Sequence, residues 1–122
     1  MRGVAMSINA MNWCRELSGL SGVDKSILMY ISDRYNEKYG YAWPSLSRIS
    51  ADTSWAVSTI SAALRRLEKR DYIRTYKQFY SYDGGWASNR YYLPIFGDCP
   101  VPGTVFEVGG QFDVHGDWDP DL

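Results

Sequence analysis

The chain has 122 residues, of which 45% are hydrophobic and 22% charged, and a formal net charge of −1. A chain of this size buries roughly two-thirds of its unfolded surface, so it supports one core without disulfide staples and is not disordered throughout. No apolar run nears the ~18 residues a membrane span needs, and no secretory leader is read at the N-terminus; a soluble, cytoplasmic protein without a membrane partner is expected. Cys14 and Cys99 make no disulfide framework and read as reduced thiols.

The net charge hides an asymmetry. Residues 98–122 hold Asp98, Glu107, Asp113, Asp117, Asp119 and Asp121 with no Lys or Arg, a charge of −6. Residues 1–97 keep all 13 bases against the other 8 acids (14 − 6), a charge of +5. The chain therefore divides into a domain over 1–97 and an acidic extension over 98–122.

A first helix is expected from Ser7 or Asn9, where Ala10, Trp13, Cys14 and Leu17 form one apolar stripe, with Gly19 as its stop. A second opens at Ser21, whose hydroxyl can cap an orphan amide. Val23, Ile27, Leu28, Ile31 and Tyr35 carry its stripe as far as Tyr39-Gly40. Tyr41-Ala42-Trp43 is too short for an independent strand and suits a sheet edge. Pro44-Ser45 then starts a short helix with Leu46 and Ile49 inward, reaching about Ala51.

Asp52-Thr53-Ser54-Trp55 breaks that pattern, and a longer helix follows from about Ala56 to Lys69. With Ile60 set inward, 100° steps place Val57, Ala63, Leu64 and Leu67 beside it, and Ser58, Ala62, Arg65 and Lys69 opposite. Residues 72–82 and 86–95 are rich in strand-forming side chains around Asp83-Gly84-Gly85, which predicts a β-hairpin. Helix, short helix, tight turn, longer helix and hairpin is the order of an α+β winged helix-turn-helix. Beyond it, Thr104–Val108 and Gln111–Val114 flank Gly109-Gly110. A second hairpin and an extended, partner-ordered segment both fit that stretch.

Several segments add a family resemblance: Ala10-Met11-Asn12-Trp13, Leu20 to Ile31, Trp43-Pro44-Ser45-Leu46, Thr59-Ile60 and Leu64 to Ile73. Together they resemble a family of phage- and plasmid-borne winged helix-turn-helix proteins, many of them similar to replication initiators or transcriptional regulators of mobile elements. Ser88-Asn89-Arg90-Tyr91-Tyr92-Leu93 is similar to that family's returning wing strand. The resemblance covers about residues 7–95 and implies a DNA-binding fold. Two features depart from its pattern: Ser54 and Ala56 stand where the turn usually has Gly and then a hydroxyl N-cap, and Val57-Ser58 stands in the first exposed turn of the helix, where relatives often carry Arg or Gln.

A helix-turn-helix places its second helix in the major groove. Ser58, Thr59, Ser61 and Ala62 then allow close approach, and Arg65 is the guanidinium best placed for a guanine edge or a phosphate. Arg66, Lys69, Arg70, Arg74 and Lys77 are the dense basic stretch expected on phosphates, with Arg90 behind a wing tip formed by Tyr82 to Trp86. The expected partner is double-stranded DNA, read by a homodimer if two half-sites are used. The ten Tyr and five Trp also leave room for an aromatic partner surface, Trp13 among its candidates, although packing explains most strand aromatics.

In the acidic extension, Trp118 and Leu122 are candidates for contact with a protein partner. The same segment can instead fold back on the chain's own basic face, or merely solubilise it. Asp113, His115, Asp117 and Asp119 alternate but match no established ligand spacing, so no metal is expected. No phosphate loop, zinc spacing or nucleophile motif is present, so neither a cofactor nor a catalytic residue is expected and the protein is read as a non-enzyme. The rival reading is a winged-helix protein-interaction module, such as a phage inhibitor of a host defence or replication protein.

Overall fold

The computed structural model describes residues 8–108. Four helices come first: α1 (Ile8–Glu16), α2 (Gly22–Arg34), α3 (Leu46–Thr53) and α4 (Val57–Lys69). Strands β1 (Arg74–Tyr80) and β2 (Arg90–Tyr92), a 3-10 turn (Pro94–Phe96) and strand β3 (Val105–Val108) follow. This is an α+β winged helix-turn-helix. No described helix is long and apolar enough to cross a membrane.

Local chemistry accounts for the helix ends. Ser21 and Ser45 cap α2 and α3 by accepting from the amides of Asp24 and Arg48 at 3.1 and 3.0 Å. The Lys25 ammonium donates to the carbonyls of Arg15 and Leu17, closing the C-terminal end of α1. Helix α2 stops at Arg34, short of the expected Gly40. Asn36 is the reason: its side-chain oxygen accepts from the amides of Lys38 and Tyr39, and its own amide donates to Tyr41 at 3.2 Å. That Asx turn supplies a local alternative to helix, and Gly40 completes it at φ 85°.

The core lies where α1, α2, α3 and α4 meet, with Ile27, Leu28, Ile31, Ile49, Ile60, Ala63 and Leu67 fully buried. Val57, expected inward, is instead 44% exposed, because the first residue of α4 projects past the rim of the core. A second cluster of Tyr41, Tyr76 and Tyr92, packed by Tyr39, Trp43 and Phe106, fills one side of the sheet. Most of the many aromatics are thus packed. Trp13 sits edge-on to Tyr72 and Phe96, with ring centroids 6.1 and 5.6 Å away.

The sheet order is β2-β1-β3. Strand β2 pairs antiparallel with β1, Thr75 opposite Tyr91, as expected of a wing. On its other side Ala42 bridges Tyr91, so the short Tyr41-Ala42 segment does add to the sheet edge. Strand β3 pairs with β1 in parallel, Lys77 opposite Val105 and Tyr80 opposite Val108. The first arm of the expected second hairpin is therefore a strand, but its partner is β1. The expected arm at 111–114 lies outside the described residues. Residues 98–108 differ in charge from the rest, yet they pack into the body: the Tyr76 hydroxyl donates to the Pro100 carbonyl at 2.7 Å, and Val108 is buried.

Candidate nucleic-acid interface

The turn between α3 and α4 fixes how α4 is presented. Ser54 adopts the left-handed conformation at φ 68° and donates its amide to the Ser50 carbonyl. Ser50 Oγ donates to the Trp55 carbonyl at 2.7 Å, and the Trp55 indole N–H reaches Ser26 Oγ on α2 at 3.0 Å. The turn is thus held from two helices although it lacks the usual glycine. Ala56, the residue before α4, offers no side-chain cap.

Helix α4 buries Ile60, Ala63, Leu64 and Leu67 and turns its other face outward, as its periodicity implies. Ser58 and Arg65 are exposed, and Thr59, Ser61 and Ala62 are half-buried. Ala62, Arg65, Arg66, Glu68 and Lys69 line a shallow groove along the outward face. Among the described residues Arg65 and Lys69 enter no ion pair.

The rest of the basic stretch is occupied within the fold. Arg66 forks onto Asp24 of α2, with contacts of 3.0 and 2.7 Å, and this hydrogen-bonded carboxylate holds its guanidinium above the ordinary arginine pKa. Arg70 donates to the Gly19 carbonyl at 3.0 Å and lies 5.2 Å over the Tyr72 ring. Arg74 pairs with Asp71 at 3.1 Å. Lys77 lies 5.0 Å over the Trp86 ring, so its charge stays at the wing surface.

Arg90 requires a correction. Expected behind the wing tip on DNA, it is 7% exposed and lies inside the sheet, 4.3 Å from the Tyr41 ring centroid and 3.8 Å from that of Phe106. Its Nε donates to Gln78 Oε1 at 2.8 Å. The planar guanidinium stacks between rings while one Nη donates to the Tyr92 hydroxyl at 3.4 Å, and that position removes it from any DNA-facing surface.

At the wing tip, Gly84 takes φ 74° and its amide donates to the Tyr80 carbonyl at 2.7 Å, leaving Tyr82 and Trp86 as exposed aromatics. A cleft of about 370 Å³ separates the wing from the start of α3, lined by Pro44 to Ser47, Tyr80 and Trp86 to Asn89. Two further cations were not singled out from sequence: Arg34 and Arg48 both pair with Asp52, at 3.0 and 3.7 Å. The Tyr30 hydroxyl donates to the same carboxylate at 2.6 Å. Arg48 and Asp52 stand four apart on α3, a spacing legible in the sequence, whereas Arg34 and Tyr30 reach the same carboxylate from α2. No metal-holding group of three His, Cys, Asp or Glu side chains occurs among the described residues. Trp118 and Leu122 lie outside them.

Residues 18–73, spanning α2 to α4, match a family model described as Helix-turn-helix domain. With the wing that follows, these residues define a helix-turn-helix domain of winged type. Comparison with curated proteins gives no match. Among solved structures, PerR from Streptococcus pyogenes, described in terms of peroxide sensing and gene regulation, is similar at 12% identity with a TM-score of 0.38. The match covers 84% of this chain and 90% of that one. That likeness is too slight to carry residues from one protein to the other.

Proposed function

We propose that the protein binds double-stranded DNA and regulates transcription, or marks a replication origin, for a phage, plasmid or other mobile element. The observation that carries this reading is the outward face of α4. Ser58, Ser61 and Ala62 are small enough for a groove wall to approach, and Arg65 and Lys69 stand there unpaired among the described residues. Arg65 is the base-reading or phosphate-clamping guanidinium, Lys69 and Lys77 contact phosphate, and Arg66, Arg70 and Arg74 reach phosphate with what their internal partners leave free. The protein acts in the cytoplasm, without a cofactor and without catalysis, as a homodimer on a two-fold site.

Selection from a pool of duplexes, followed by binding at several salt concentrations, tests this. One selected sequence is expected, with a log–log salt slope that falls by about 0.9 for each phosphate contact removed in Arg65→Ala or Lys69→Ala. Absence of duplex binding at low salt in the folded protein overturns the reading.

One observation favours the rival. The guanidiniums of Arg66, Arg70, Arg74 and Arg90 all have partners within the chain, while Tyr82 and Trp86 are exposed at 71% and 64%. A protein partner anchored on those aromatics, or on Trp118 and Leu122, would suit such a surface. Strong capture of one protein together with no duplex affinity would establish it.

A further inference from the structure

Strand β3 decides where the acidic end of the chain is delivered. Because it runs parallel to β1, it heads toward the wing tip, and Ser81 fixes it there. The Ser81 amide and Oγ both donate to the Val108 carbonyl, at 2.9 and 3.1 Å. An antiparallel third strand would have sent the chain to the opposite end of the sheet. Phe106, under the Arg90 guanidinium at 3.8 Å, anchors the strand from within. Val108, the last described residue, therefore lies beside Tyr80 and Ser81, next to the wing tip.

We infer that the segment 109–122 seats in the outward groove of α4 and competes there with DNA for Arg65 and Lys69; the competition rests on the DNA-binding reading above. Charge complementarity is one argument. Asp113, Asp117, Asp119 and Asp121 give 109–122 a charge of −4 with no Lys or Arg, and Arg65 and Lys69 are the groove's two cations without an ion-pair partner among the described residues. Reach is the second. Fourteen residues extend to roughly 46 Å and as a random coil span about 20 Å, against a radius of gyration near 13 Å for a domain of about 100 residues. Tethering at that length gives an effective concentration in the millimolar range, so a contact weak between separate molecules is populated within one. Composition is the third: Trp118 offers a ring to a guanidinium, and Leu122 offers apolar surface to Ala62 and the side-chain stems of the groove.

The test uses the full chain and a full-length variant carrying Asp113→Asn, Asp117→Asn, Asp119→Asn and Asp121→Asn. In the unsubstituted chain, carbodiimide coupling read by mass spectrometry is expected to join Lys69 to a carboxylate of 109–122. Mixed isotope-labelled and unlabelled protein should show the link within one chain. The Asn variant is expected to bind duplex about tenfold more tightly at 50 mM salt, the gap closing at several hundred millimolar as screening removes the competitor. No link to Lys69, links only between chains, or equal duplex affinity of the two proteins overturns the inference, and in each case DNA binding itself can still stand. An intrachain link in a protein that binds no duplex has a different meaning: the seat stands, while the competition and the DNA-binding reading fall together.

Discussion

The Arg66 guanidinium lies half in solvent while the Asp24 carboxylate it grips is 8% exposed, so the two ends of this ion pair stand in different environments. Removing either end has unequal consequences. Arg66→Ala leaves a buried carboxylate unpaired between α2 and α4, whereas Asp24→Asn leaves a guanidinium that water can still solvate. Thermal unfolding is expected to show the larger loss for Arg66→Ala and partial recovery in the double variant Asp24→Asn/Arg66→Ala. Equal losses in both single variants would contradict the asymmetry.

The turn before α4 carries two correctable residues. Ala56→Ser supplies the missing hydroxyl cap and is expected to stabilise the protein by about 1 kcal/mol. Ser54→Gly relieves ~1–2 kcal/mol of left-handed strain but gives back ~0.4–1 kcal/mol in unfolded-state entropy, for a net gain near 0.5 kcal/mol. Urea midpoints of the two variants and their combination measure both effects. The sites are adjacent, so strict additivity is not expected.

Arg90 supports the sheet. Arg90→Ala removes a filler between Tyr41 and Phe106 and is expected to cost at least ~2 kcal/mol, within the range for emptying a packed site. Arg90→Lys recovers little, since an ammonium lacks the flat surface that the two rings enclose. The measurement is chemical unfolding beside the salt dependence of duplex binding. A changed salt slope in protein that remains folded would return Arg90 to the DNA surface.

Tyr91, 1% exposed, has its hydroxyl pushed up by burial from an ordinary 10.0 to about 12. The folded state keeps this phenol neutral in a range where the unfolded chain has already lost the proton. Stability from this group is full below pH 10, declines between pH 10 and 12, and is gone above, a total of ~3 kcal/mol. Tyr91→Phe cannot ionise, so its stability should fall less steeply across that window. Parallel curves for the two proteins from pH 9 to 11.5 would contradict the assignment.

What the sequence disclosed follows its local codes. The stripe of Ile60, Ala63, Leu64 and Leu67, the Ser21 and Ser45 caps and the Asp83–Gly85 turn each lie within one helix or one hairpin, and each is where the residues placed it. The early end of α2 is not legible, because a stripe through Tyr35 looks helical until the Asn36 side chain claims the next amides. The burial of Arg90 is hidden from the sequence for a related reason. Its cover, Phe106, arrives on a strand whose parallel partner is remote in sequence, and no residue pattern encodes that pairing. The basic stretch was legible as charge. Which cations stay available was not, since Asp24 and Gly19 come from far upstream to claim Arg66 and Arg70.

The parallel pairing of β3 with β1 also sets an order of assembly. Lys77 cannot meet Val105 until β2 and the 3-10 turn, which lie between them in the chain, have been laid down. Strand β3 is also the last described element to be made, so the β3 seam should be the last to form during synthesis. It should likewise be the first to exchange its amide hydrogens, well before Ile27 or Leu67 at the centre of the helical core.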